Sequence, residues 1–415
     1  MSLVKELAIK AKSAANELAV LDTAIKNHAL NMVAEQLKVN SQQIIEANKI
    51  DLEKGKTAGL SAPLLDRLAL DDGRIDGMIE GIHQVVALAD PIGETIESWP
   101  RPNGLNVNKV RVPMGVVGII YEGRPNVTVD AAALCLKAGS AVVLRGSSSA
   151  INSNRALVSA IKTGLAKANV SAEVVQLVDT TDRAAVDEML KLNGLMDLVI
   201  PRGGAGLIQR VVQNATVPVI ETGVGNCHIY VDKDADPQMA LDIIINAKCQ
   251  RYGVCNAAES LVVHQDIASP WLSKAAAELK ARGVEIRGCA ETLKLVKDAQ
   301  PATESDWAEE FIAPTIAIKI VKDLAEAIGH IQQHSTGHSE AIVTNNQATA
   351  DIFMRTIDAA AVYHNASTRF TDGFEFGFGA EIGISTQKLH ARGPMGLKEL
   401  TSYKYIIQGT GQTRA

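Results

Sequence analysis

A regular alternation of short apolar runs with amphipathic segments begins at Gly115, and it limits the fold more than any other feature of the sequence. The apolar runs are rich in β-branched residues, which favour strands, and most are separated by a segment with the periodicity of a helix. Strands that alternate with helices form a mostly parallel sheet with helices on both faces, so we predict an α/β protein. Strands are expected at 116–121, 141–145, 173–178, 197–200 and 217–220.

The same alternation continues from about residue 226 to residue 358 and predicts a second α/β unit. Residues 1 to about 88 instead place apolar residues three or four positions apart, which predicts helices. Two outlying segments, 103–112 and 401–407, have the pattern of extended chain and suggest a shared oligomerisation element. The strands of the second unit are expected at 228–231, 260–264, 284–287, 315–320 and 340–343.

The composition disfavours several classes of protein. The chain has 415 residues, of which 41 are Lys or Arg and 47 are Asp or Glu, and its net charge of −6 gives no basis for binding nucleic acid or an anionic membrane. The five cysteines include no Cys-x-x-Cys pair, which argues against disulfides or structural zinc and favours the cytoplasm. No apolar run approaches the roughly 18 residues of a membrane helix. The nine histidines form no metal-binding pattern.

Ligands of parallel sheets bind at the carboxyl ends of the strands, so the residues that follow each predicted strand are candidates for a binding site. Arg145 is followed closely by the donors Ser147 and Ser148, which could hold a ribose phosphate or form only a solvated loop. Gly203 and Gly204 open a helical stretch and could direct backbone N–H groups at a phosphate. Their spacing does not match Gly-x-Gly-x-x-Gly, and glycines after a strand are often only a turn.

Three further residues carry the functional groups of a thiol enzyme. Cys255 is predicted to lie on a turn between two apolar runs, 241–247 and 260–263, where a nucleophile would sit, although a single cysteine is more often a packing residue. Asn126, between a strand and a helix, could donate its amide to an oxyanion or could cap the helix. Glu221 ends a predicted strand and could accept a proton or be simply solvated.

Taken together and in chain order, these segments resemble the aldehyde dehydrogenase superfamily over essentially the whole chain. Gly-Ala-Glu-Ile-Gly-Ile-Ser-Thr at 379–386, followed by His-Ala-Arg-Gly-Pro at 390–394, is specific to a branch that reduces an acyl phosphate. The segment around Cys255 also matches. The other matching motifs are Ala-Asn-Lys-Ile-Asp at 47–51, Leu-Asp-Arg-Leu at 65–68, Pro-Met-Gly-Val-Val-Gly at 113–118, Gly-Arg-Pro-Asn-Val at 123–127, Leu-Val-Ile-Pro-Arg-Gly-Gly at 198–204 and Asn-Ala-Ser-Thr-Arg-Phe at 365–370.

The resemblance implies an aldehyde-dehydrogenase-like fold. A Rossmann-type dinucleotide-binding domain is expected at 1–225, with an extended arm inserted at 99–112. An α/β catalytic domain that carries the thiol is expected at 226–385, and an oligomerisation segment at 386–415. The protein is therefore expected to form a homo-oligomer through a small arm.

The resemblance also assigns catalytic roles. Cys255 corresponds to the nucleophile, and Asn126 together with the backbone N–H of Cys255 corresponds to the oxyanion hole. Glu221 corresponds to the general base. The sequence Glu-Thr-Gly-Val-Gly at 221–225 departs from the usual Glu-Leu-Gly-Gly, so the role of Glu221 stays open.

For the cofactor, the resemblance implies NADPH rather than NADH. Arg145 stands where the superfamily usually has a lysine on the adenosine ribose, and Ser148 stands where NAD-selective members often carry a glutamate. The loss of that acid leaves room for a 2′-phosphate. The other expected cofactor contacts are Ser147, Gly203, Gly204 and Glu310, the last of these on the nicotinamide ribose.

The activity implied is the NADPH-dependent reduction of L-glutamyl 5-phosphate to L-glutamate 5-semialdehyde and phosphate through a thioester, the second step of proline biosynthesis from glutamate. Arg124, Arg251 and Arg369 are expected to bind the substrate's carboxylate and phosphate, although each could equally be a structural ion-pair partner. Whether glutamate 5-kinase is a partner stays open. The alternatives are a hydrolytic glutamate-semialdehyde dehydrogenase, which the retained Glu221 favours, and a catalytically silent scaffold.

Overall fold

The protein is represented by a computed structural model that describes residues 1–414, and its contacts divide the chain into two units. Unit 1 contains Met1–Thr222, Gly377–Gly383 and the described part of Met395–Ala415. Unit 2 contains Gly223–Phe376 and Ile384–Pro394. A division by contacts does not test whether each unit folds as a domain, so the domain borders at 225 and 385 remain predictions.

Five helices precede the first strand, and strands alternate with helices through most of the remaining chain. The helices are α1 (Leu3–Leu18), α2 (Thr23–Val39), α3 (Ser41–Thr57), α4 (Ala62–Leu68), α5 (Asp72–Ala87), α6 (Asn126–Lys137), α7 (Ile151–Lys167), α8 (Ala184–Met189), α9 (Ala205–Asn214), α10 (Pro237–Cys249), α11 (Gln265–Ala281), α12 (Ala290–Leu295), α13 (Leu324–His334) and α14 (Gln347–Thr356). The strands are β1 (Thr95–Pro100), β2 (Asn106–Pro113), β3 (Val116–Tyr121), β4 (Ala141–Gly146), β5 (Val175–Leu177), β6 (Leu198–Arg202), β7 (Cys227–Val231), β8 (Ala258–His264), β9 (Glu285–Gly288), β10 (Gln300–Pro301), β11 (Thr315–Val321), β12 (Ser339–Val343), β13 (Ala361–His364), β14 (Ile384–Ser385), β15 (Gly393–Pro394) and β16 (Thr401–Gln408).

The N-terminal part of unit 1 is helical, as the apolar spacing predicts. Ser2, Asp22 and Asp71 are the N-cap residues of helices α1, α2 and α5. The side chain of each accepts a hydrogen bond from the backbone N–H three residues later. Such caps satisfy N–H groups that have no partner inside the helix. Ala8 and Ala11 are fully buried on the inner face of α1, where small side chains allow close packing.

The sheet of unit 1 has the strand order β5-β4-β3-β6, and all of its pairings are parallel. Every residue of β3 and β4 is buried, which is expected of central strands covered by helices on both faces. The α/β prediction is therefore confirmed for this unit. The carboxyl ends of β4 and β6 lead into residues 147–149 and 203–206, which the sequence predicts as candidate binding loops, and β3 leads into residues 122–126.

The strand expected at 217–220 is wrong. These residues run beside β6, where Val199 N donates to Pro218 O at 2.8 Å and Ile220 N donates to Val199 O at 3.1 Å. They form only one isolated bridge, between Val199 and Val219. Proline has no N–H group and cannot contribute a donor to a ladder, so the pairing does not extend into a strand.

The two outlying extended segments pair with each other in unit 1. Strands β1, β2 and β16 form an antiparallel sheet in the order β1-β2-β16, and all eight residues of β16 pair with β2. We call these three strands the arm sheet. Seven of the eight residues of β16 are exposed, including Tyr405 and Ile407.

Unit 2 is built on a seven-stranded sheet in the order β10-β9-β11-β8-β7-β12-β13, with all pairings parallel. The alternation of side chains along β7 and β8 builds two cores. Ile229 and Leu261 pack in the core that contains α10 and α11, whereas Tyr230 and Val262 pack in the core that contains α13 and α14. Strand β13 was not predicted, because its four residues are mostly half-buried and have no long apolar run.

Gly164 fixes the distance between α7 and α2. A Cβ atom at Gly164 would lie 2.6 Å from the Cα atom of Val33, so the two backbones could not stay in contact. We predict that Gly164→Ala lowers the free energy of unfolding by about 2 kcal/mol, which is typical of overpacking. Gly77→Ala in α5, where a Cβ atom meets nothing within 4 Å, is the matched control and should raise stability by up to about 1 kcal/mol. Chemical denaturation would measure both, and an unchanged midpoint for Gly164→Ala would contradict the prediction.

Candidate functional site

A cavity of about 310 Å³ opens in unit 1 beside the carboxyl ends of β3 and β4. Its walls come from the ends of these strands, from the loop after β5 and from the start of α9. Three of its lining residues are arginines and two are serines, so the cavity is rich in hydrogen-bond donors. The polar lining residues are Glu122, Arg145, Ser147, Ser148, Thr181, Arg183 and Arg210, together with Tyr121.

Arg145 is the most constrained cation in this cavity. The side chain is buried, and its two terminal nitrogens donate to backbone carbonyls, from Nη1 to Gly146 at 2.8 Å and from Nη2 to Asp182 at 3.2 Å. Its Nε atom is buried without a hydrogen-bond partner among the described residues. Burial, followed by the positive charge of Arg183, lowers the pKa of Arg145. An anion is the ligand that would satisfy both observations.

The serines that follow Arg145 lie where the sequence predicts. Ser147 is half-buried, and its Oγ atom lies 2.5 Å from Ser149 Oγ and accepts from Gly123 N at 3.3 Å. Ser148 begins a short turn of 3₁₀ helix and is exposed at the wall of the cavity. Arg145, Ser147 and Ser148 are therefore brought together at one strand exit.

The glycines at the start of α9 have a partner that the sequence does not suggest. Gly204 N donates to Glu122 Oε2 at 2.9 Å, so a carboxylate from the end of β3 lies at the N-terminus of this helix. A Cβ atom at Gly203 would lie 2.5 Å from the same oxygen. The N-terminus of α9 thus binds the Glu122 carboxylate, an arrangement that the helix dipole favours. A phosphate can contact Gly203 or Gly204 only if the exposed Glu122 side chain turns away.

Asn126 is the first residue of α6 and does not cap it. Pro125 occupies the cap position, and Asn126 Nδ2 donates instead to Asp130 Oδ2 at 2.9 Å. Because a carboxylate accepts only from the NH₂ side of the amide, this bond fixes the orientation of Asn126 and leaves its second N–H available at an exposed position. Burial raises the pKa of Asp130 to about 6, and its bond to Asn126 opposes that shift.

Unit 1 also contains Glu221 and Arg124. Glu221 is half-buried and directly follows the chain that runs beside β6, while the next residue, Thr222, donates from Oγ1 to Pro201 O at 2.9 Å. Arg124 is exposed in the loop between β3 and α6. These positions are compatible with the predicted roles but do not test them.

Cys255 lies in unit 2, in the turn that joins α10 to β8, and is half-buried. Its backbone carbonyl packs directly on Gly225, where an added Cβ atom would lie 1.6 Å from Cys255 O. The same carbonyl oxygen accepts from Cys227 Sγ at 3.2 Å. Cys227 is fully buried, and burial raises the pKa of its thiol well above the usual value, so it remains a protonated donor. The backbone of Cys255 is therefore held from the side of β7.

Glu310 also contacts Gly225. Its Oε1 atom accepts from Gly225 N at 2.7 Å, so Gly225 contacts Cys255 through its Cα atom and Glu310 through its N–H group. Burial raises the pKa of Glu310, and the bond from Gly225 opposes this shift.

Residues 250–257, which join α10 to β8 and include Cys255, are called the thiol turn below. Two of the three predicted substrate arginines lie in this turn or contact it. Arg369 donates from Nε to Gln250 Oε1 at 2.8 Å and from Nη1 to Asn256 Oδ1, which bracket the turn. Burial lowers the pKa of Arg369, the charge of Asp372 opposes this shift and that of Arg251 adds to it. Arg251 is exposed. The turn therefore carries one arginine, Arg251, and is hydrogen-bonded to a second, Arg369.

The sequence did not identify Arg183 or Arg210 as candidates. Arg183 lies in the loop after β5, and Arg210 lies on α9, where it forms an ion pair with Asp187 at 2.8 Å. The rule that ligands bind at strand exits, applied to β5 as it was to β4, would have found Arg183. Arg210 belongs to a helix face, for which the sequence carries no such signal.

Residues 1–414 contain neither a metal-binding cluster nor a helix able to span a membrane. No three His, Cys, Asp or Glu side chains there are arranged to hold a metal ion. Within the same residues, no helix combines the length and the apolar character that crossing a bilayer requires.

Comparisons with known proteins identify relatives over the whole chain. The aldehyde dehydrogenase family matches residues 2–287 and 295–406. The gamma-glutamyl phosphate reductase of Desulforamulus reducens is 70% identical over 414 residues, which is 100% of both chains. The crystal structure of gamma-glutamyl phosphate reductase from Thermotoga maritima has a TM-score of 0.98 at 53% identity and covers 100% of both chains. An acetylating aldehyde dehydrogenase from Geobacillus thermoglucosidasius, with a TM-score of 0.70 at 17% identity and 99% and 97% coverage, shares the fold.

The burial of the cysteines predicts that Cys135 and Cys227 react with iodoacetamide far more slowly than Cys255. Cys135 and Cys227 are fully buried, and burial raises the pKa of Cys135 to about 12, whereas Cys255 is half-buried in a turn. Because the thiolate is the reactive form, Cys255 should be alkylated at neutral pH at least about 100-fold faster than either buried thiol. Mass spectrometry of peptides after brief labelling would measure this, with the urea-unfolded chain as the control. Labelling of Cys227 ahead of Cys255 would contradict the packing described here.

Proposed function

The chain belongs to the aldehyde dehydrogenase family and is an oxidoreductase, and from this premise we propose that it reduces L-glutamyl 5-phosphate to L-glutamate 5-semialdehyde and phosphate. The observation that carries the proposal is a half-buried thiol on a turn that contains Arg251 and is hydrogen-bonded to Arg369, in a chain that matches reductases named for this reaction over their whole length. The reaction is the second step of proline biosynthesis from glutamate.

The first proposed step is the attack of the Cys255 thiolate on the acyl carbon of the substrate. A C–S bond forms, the bond from that carbon to the phosphate oxygen breaks, and inorganic phosphate leaves with the electron pair. Arg251 and Arg369 supply positive charge beside the thiol, which a reactive thiolate requires. The same guanidinium groups, with Arg124, can bind the substrate's phosphate and α-carboxylate in a bidentate manner.

The second proposed role is the stabilisation of the oxyanion that forms during both halves of the reaction. The amide of Asn126 and the backbone N–H of Cys255 donate to it, and one well-aimed donor of this kind is worth about 3 to 4 kcal/mol. Asp130 supports this role because it fixes the Asn126 amide with its NH₂ group as donor. Once the acyl carbon has accepted a hydride, collapse of the oxyanion breaks the C–S bond and releases the aldehyde and the Cys255 thiolate.

We propose NADPH as the reductant, which supplies a hydride to the acyl carbon when bound. The donor set of the cavity in unit 1 fits its adenosine ribose and 2′-phosphate, because the buried Arg145 lines it together with Arg183, Ser147 and Ser148, and the one carboxylate among its described lining residues, that of Glu122, accepts a hydrogen bond from Gly204. The Nε atom of Arg145 offers a further donor. Glu310 would bind the nicotinamide ribose, and Gly203 and Gly204 would lie near the cofactor phosphates.

The fate of the thioester decides between this function and a hydrolytic one. A hydrolytic enzyme needs a base that activates water, and Glu221 is the residue that favours that alternative. The departure of residues 221–225 from the pattern of hydrolytic relatives favours exchange with phosphate instead.

We also propose a cytoplasmic homo-oligomer that assembles through the arm sheet. The outer edge of β16 carries unpaired backbone groups, and its exposed Tyr405 and Ile407 offer apolar surface to a second copy. None of the five cysteines forms a disulfide within residues 1–414, in keeping with a reducing compartment. Glutamate 5-kinase, which makes the acyl phosphate, is the proposed supplier of substrate.

The proposed function is tested in the reverse direction. The purified protein should reduce NADP⁺ in the presence of glutamate semialdehyde only when inorganic phosphate is added, because phosphate must resolve the thioester. Cys255→Ser should lower this rate by at least about 1,000-fold while leaving the circular dichroism spectrum and NADPH binding unchanged. Equal rates with and without phosphate would establish the hydrolytic alternative, and no activity in either condition would favour the silent scaffold.

The cavity predicts which arginine sets the preference for the phosphorylated cofactor. Arg183→Ala removes a cation beside Arg145, so kcat/KM should fall about 10- to 100-fold with NADPH and little with NADH, the effect of losing one charge-assisted hydrogen bond. Arg210→Ala is the matched control, because the Arg210 charge is already paired with Asp187. Equal losses with both cofactors in Arg183→Ala would show that this residue does not bind the 2′-phosphate.

A further inference from the structure

Unit 2 contains a buried ion pair between α10 and β8, the two elements that the thiol turn joins. Lys248 near the end of α10 and Glu259 in β8 are both fully buried, with 2.5 Å between Nζ and Oε2. Burial raises the pKa of Glu259 to about 7 and lowers the pKa of Lys248, so both shifts oppose the charged forms. Such a pair is costly to desolvate and is often less favourable than an apolar pair of similar size, so its presence calls for a role besides stability.

The second oxygen of Glu259 indicates that role. Glu259 Oε1 accepts a hydrogen bond from the backbone N–H of Ile312 at 3.3 Å. This bond links β8 to the segment that joins the short 3₁₀ helix at Glu304–Trp307 to β11. This oxygen remains an acceptor whether the shared proton lies on Lys248 or on Oε2. The Lys248 contact holds the other oxygen and thereby fixes the orientation of the carboxyl group.

Ile312 is held in an unfavourable conformation. Its φ angle is +49°, in the left-handed region that β-branched residues rarely adopt, and its side chain is exposed, so packing does not account for the conformation. Backbone strain of this kind costs on the order of 1 to 3 kcal/mol and persists only where surrounding contacts enforce it. The hydrogen bond from Ile312 to Glu259 is such a contact.

The strained turn lies two residues after Glu310. Glu310 is anchored at its carboxylate by Gly225 N, at 2.7 Å, and the chain that carries it is anchored at Ile312 by Glu259. The side chain of this short segment is therefore held by Gly225, two residues before β7, and its backbone is held by Glu259 in β8.

We propose that Lys248 and Glu259 are positioning residues for Glu310. Their ion pair holds the turn at Ile312, and this turn orients the Glu310 carboxylate towards the ribose of the nicotinamide cofactor. This inference rests on the proposed function in one respect, the assignment of Glu310 to the cofactor. Neither Lys248 nor Glu259 touches the reacting atoms, because both act through the backbone of residues 310–312.

A matched pair of double variants isolates the acceptor of Ile312. Lys248→Met/Glu259→Gln removes both charges but keeps a side-chain oxygen for the Ile312 N–H group. Lys248→Met/Glu259→Leu removes both charges and that oxygen. Because both variants lose the ion pair, a general loss of stability affects both, and thermal unfolding of each establishes that they fold.

Two measurements follow on the full-length variants. In the cofactor-free protein, hydrogen exchange of the amides in residues 309–314 should be about ten-fold faster in the leucine variant than in the glutamine variant, which is the effect of one lost hydrogen bond. The Kd for NADPH, from a fluorescence titration, should be about ten-fold weaker in the leucine variant. The rate of Cys255 alkylation should be the same in both, because the thiol turn keeps its contacts with Gly225 and Cys227.

Equal exchange rates, or faster exchange with an equal Kd for NADPH, would overturn the proposal. Glu310→Ala in the otherwise unaltered chain separates this outcome from a failure of the proposed function. If Glu310→Ala weakens NADPH binding while the two double variants bind alike, only the positioning role fails. If Glu310→Ala binds NADPH normally, the assignment of Glu310 to the cofactor fails, and the positioning role fails with it.

Discussion

The contact between Gly225 and the carbonyl group of Cys255 is the constraint on which the chemistry proposed for unit 2 depends. There is no space for a side chain at Gly225, since a Cβ atom would lie 1.6 Å from the carbonyl oxygen. Because the two backbones touch, the N–H group of Gly225 reaches Glu310 and the thiol of Cys227 reaches Cys255 O. A nucleophile on a turn would otherwise sample many positions, and a single glycine reduces that freedom without adding a bulky group near the sulfur.

In the cavity proposed to bind the cofactor, unit 1 places the guanidinium groups of Arg145 and Arg183 close together. The hydrogen bonds of Arg145 go to main-chain carbonyls, and burial, followed by repulsion from Arg183, lowers its pKa, while the charge of Asp182 opposes this shift. Glu122 lies nearby but is bonded to Gly204 at the start of α9. A 2′-phosphate would then be preferred because it relieves the repulsion between the two guanidinium groups and also accepts their hydrogen bonds. A pocket that relied on shape alone would discriminate only weakly between NADPH and NADH.

The sequence predicted those parts of the structure that depend on local pattern. The bounds of β3 are those expected from its apolar run, and β7, β8, β11 and β12 were found within two residues at each end. The run at 217–220 failed because the missing N–H of Pro218 prevents a ladder, and β13 was missed because it has almost no pattern of its own. Cys255, Asn126 and Arg145 could be named from motifs. The bonds of Gly225 to Glu310 and of Glu259 to Ile312 join residues 85 and 53 positions apart, and no local pattern encodes them.

The pairing of β2 with β16 has a consequence for the synthesis of the chain. Arg111 in β2 bonds to Thr401 in β16, 290 positions further along, and the whole of unit 2 is encoded between them. At a translation rate of about 5 to 20 residues per second, one edge of β2 stays uncovered on the ribosome for roughly 15 to 60 seconds. During that interval nascent chains on the same messenger present identical open strand edges to one another. We therefore expect unintended pairing between nascent chains to involve the open edge of β2 until β16 covers it.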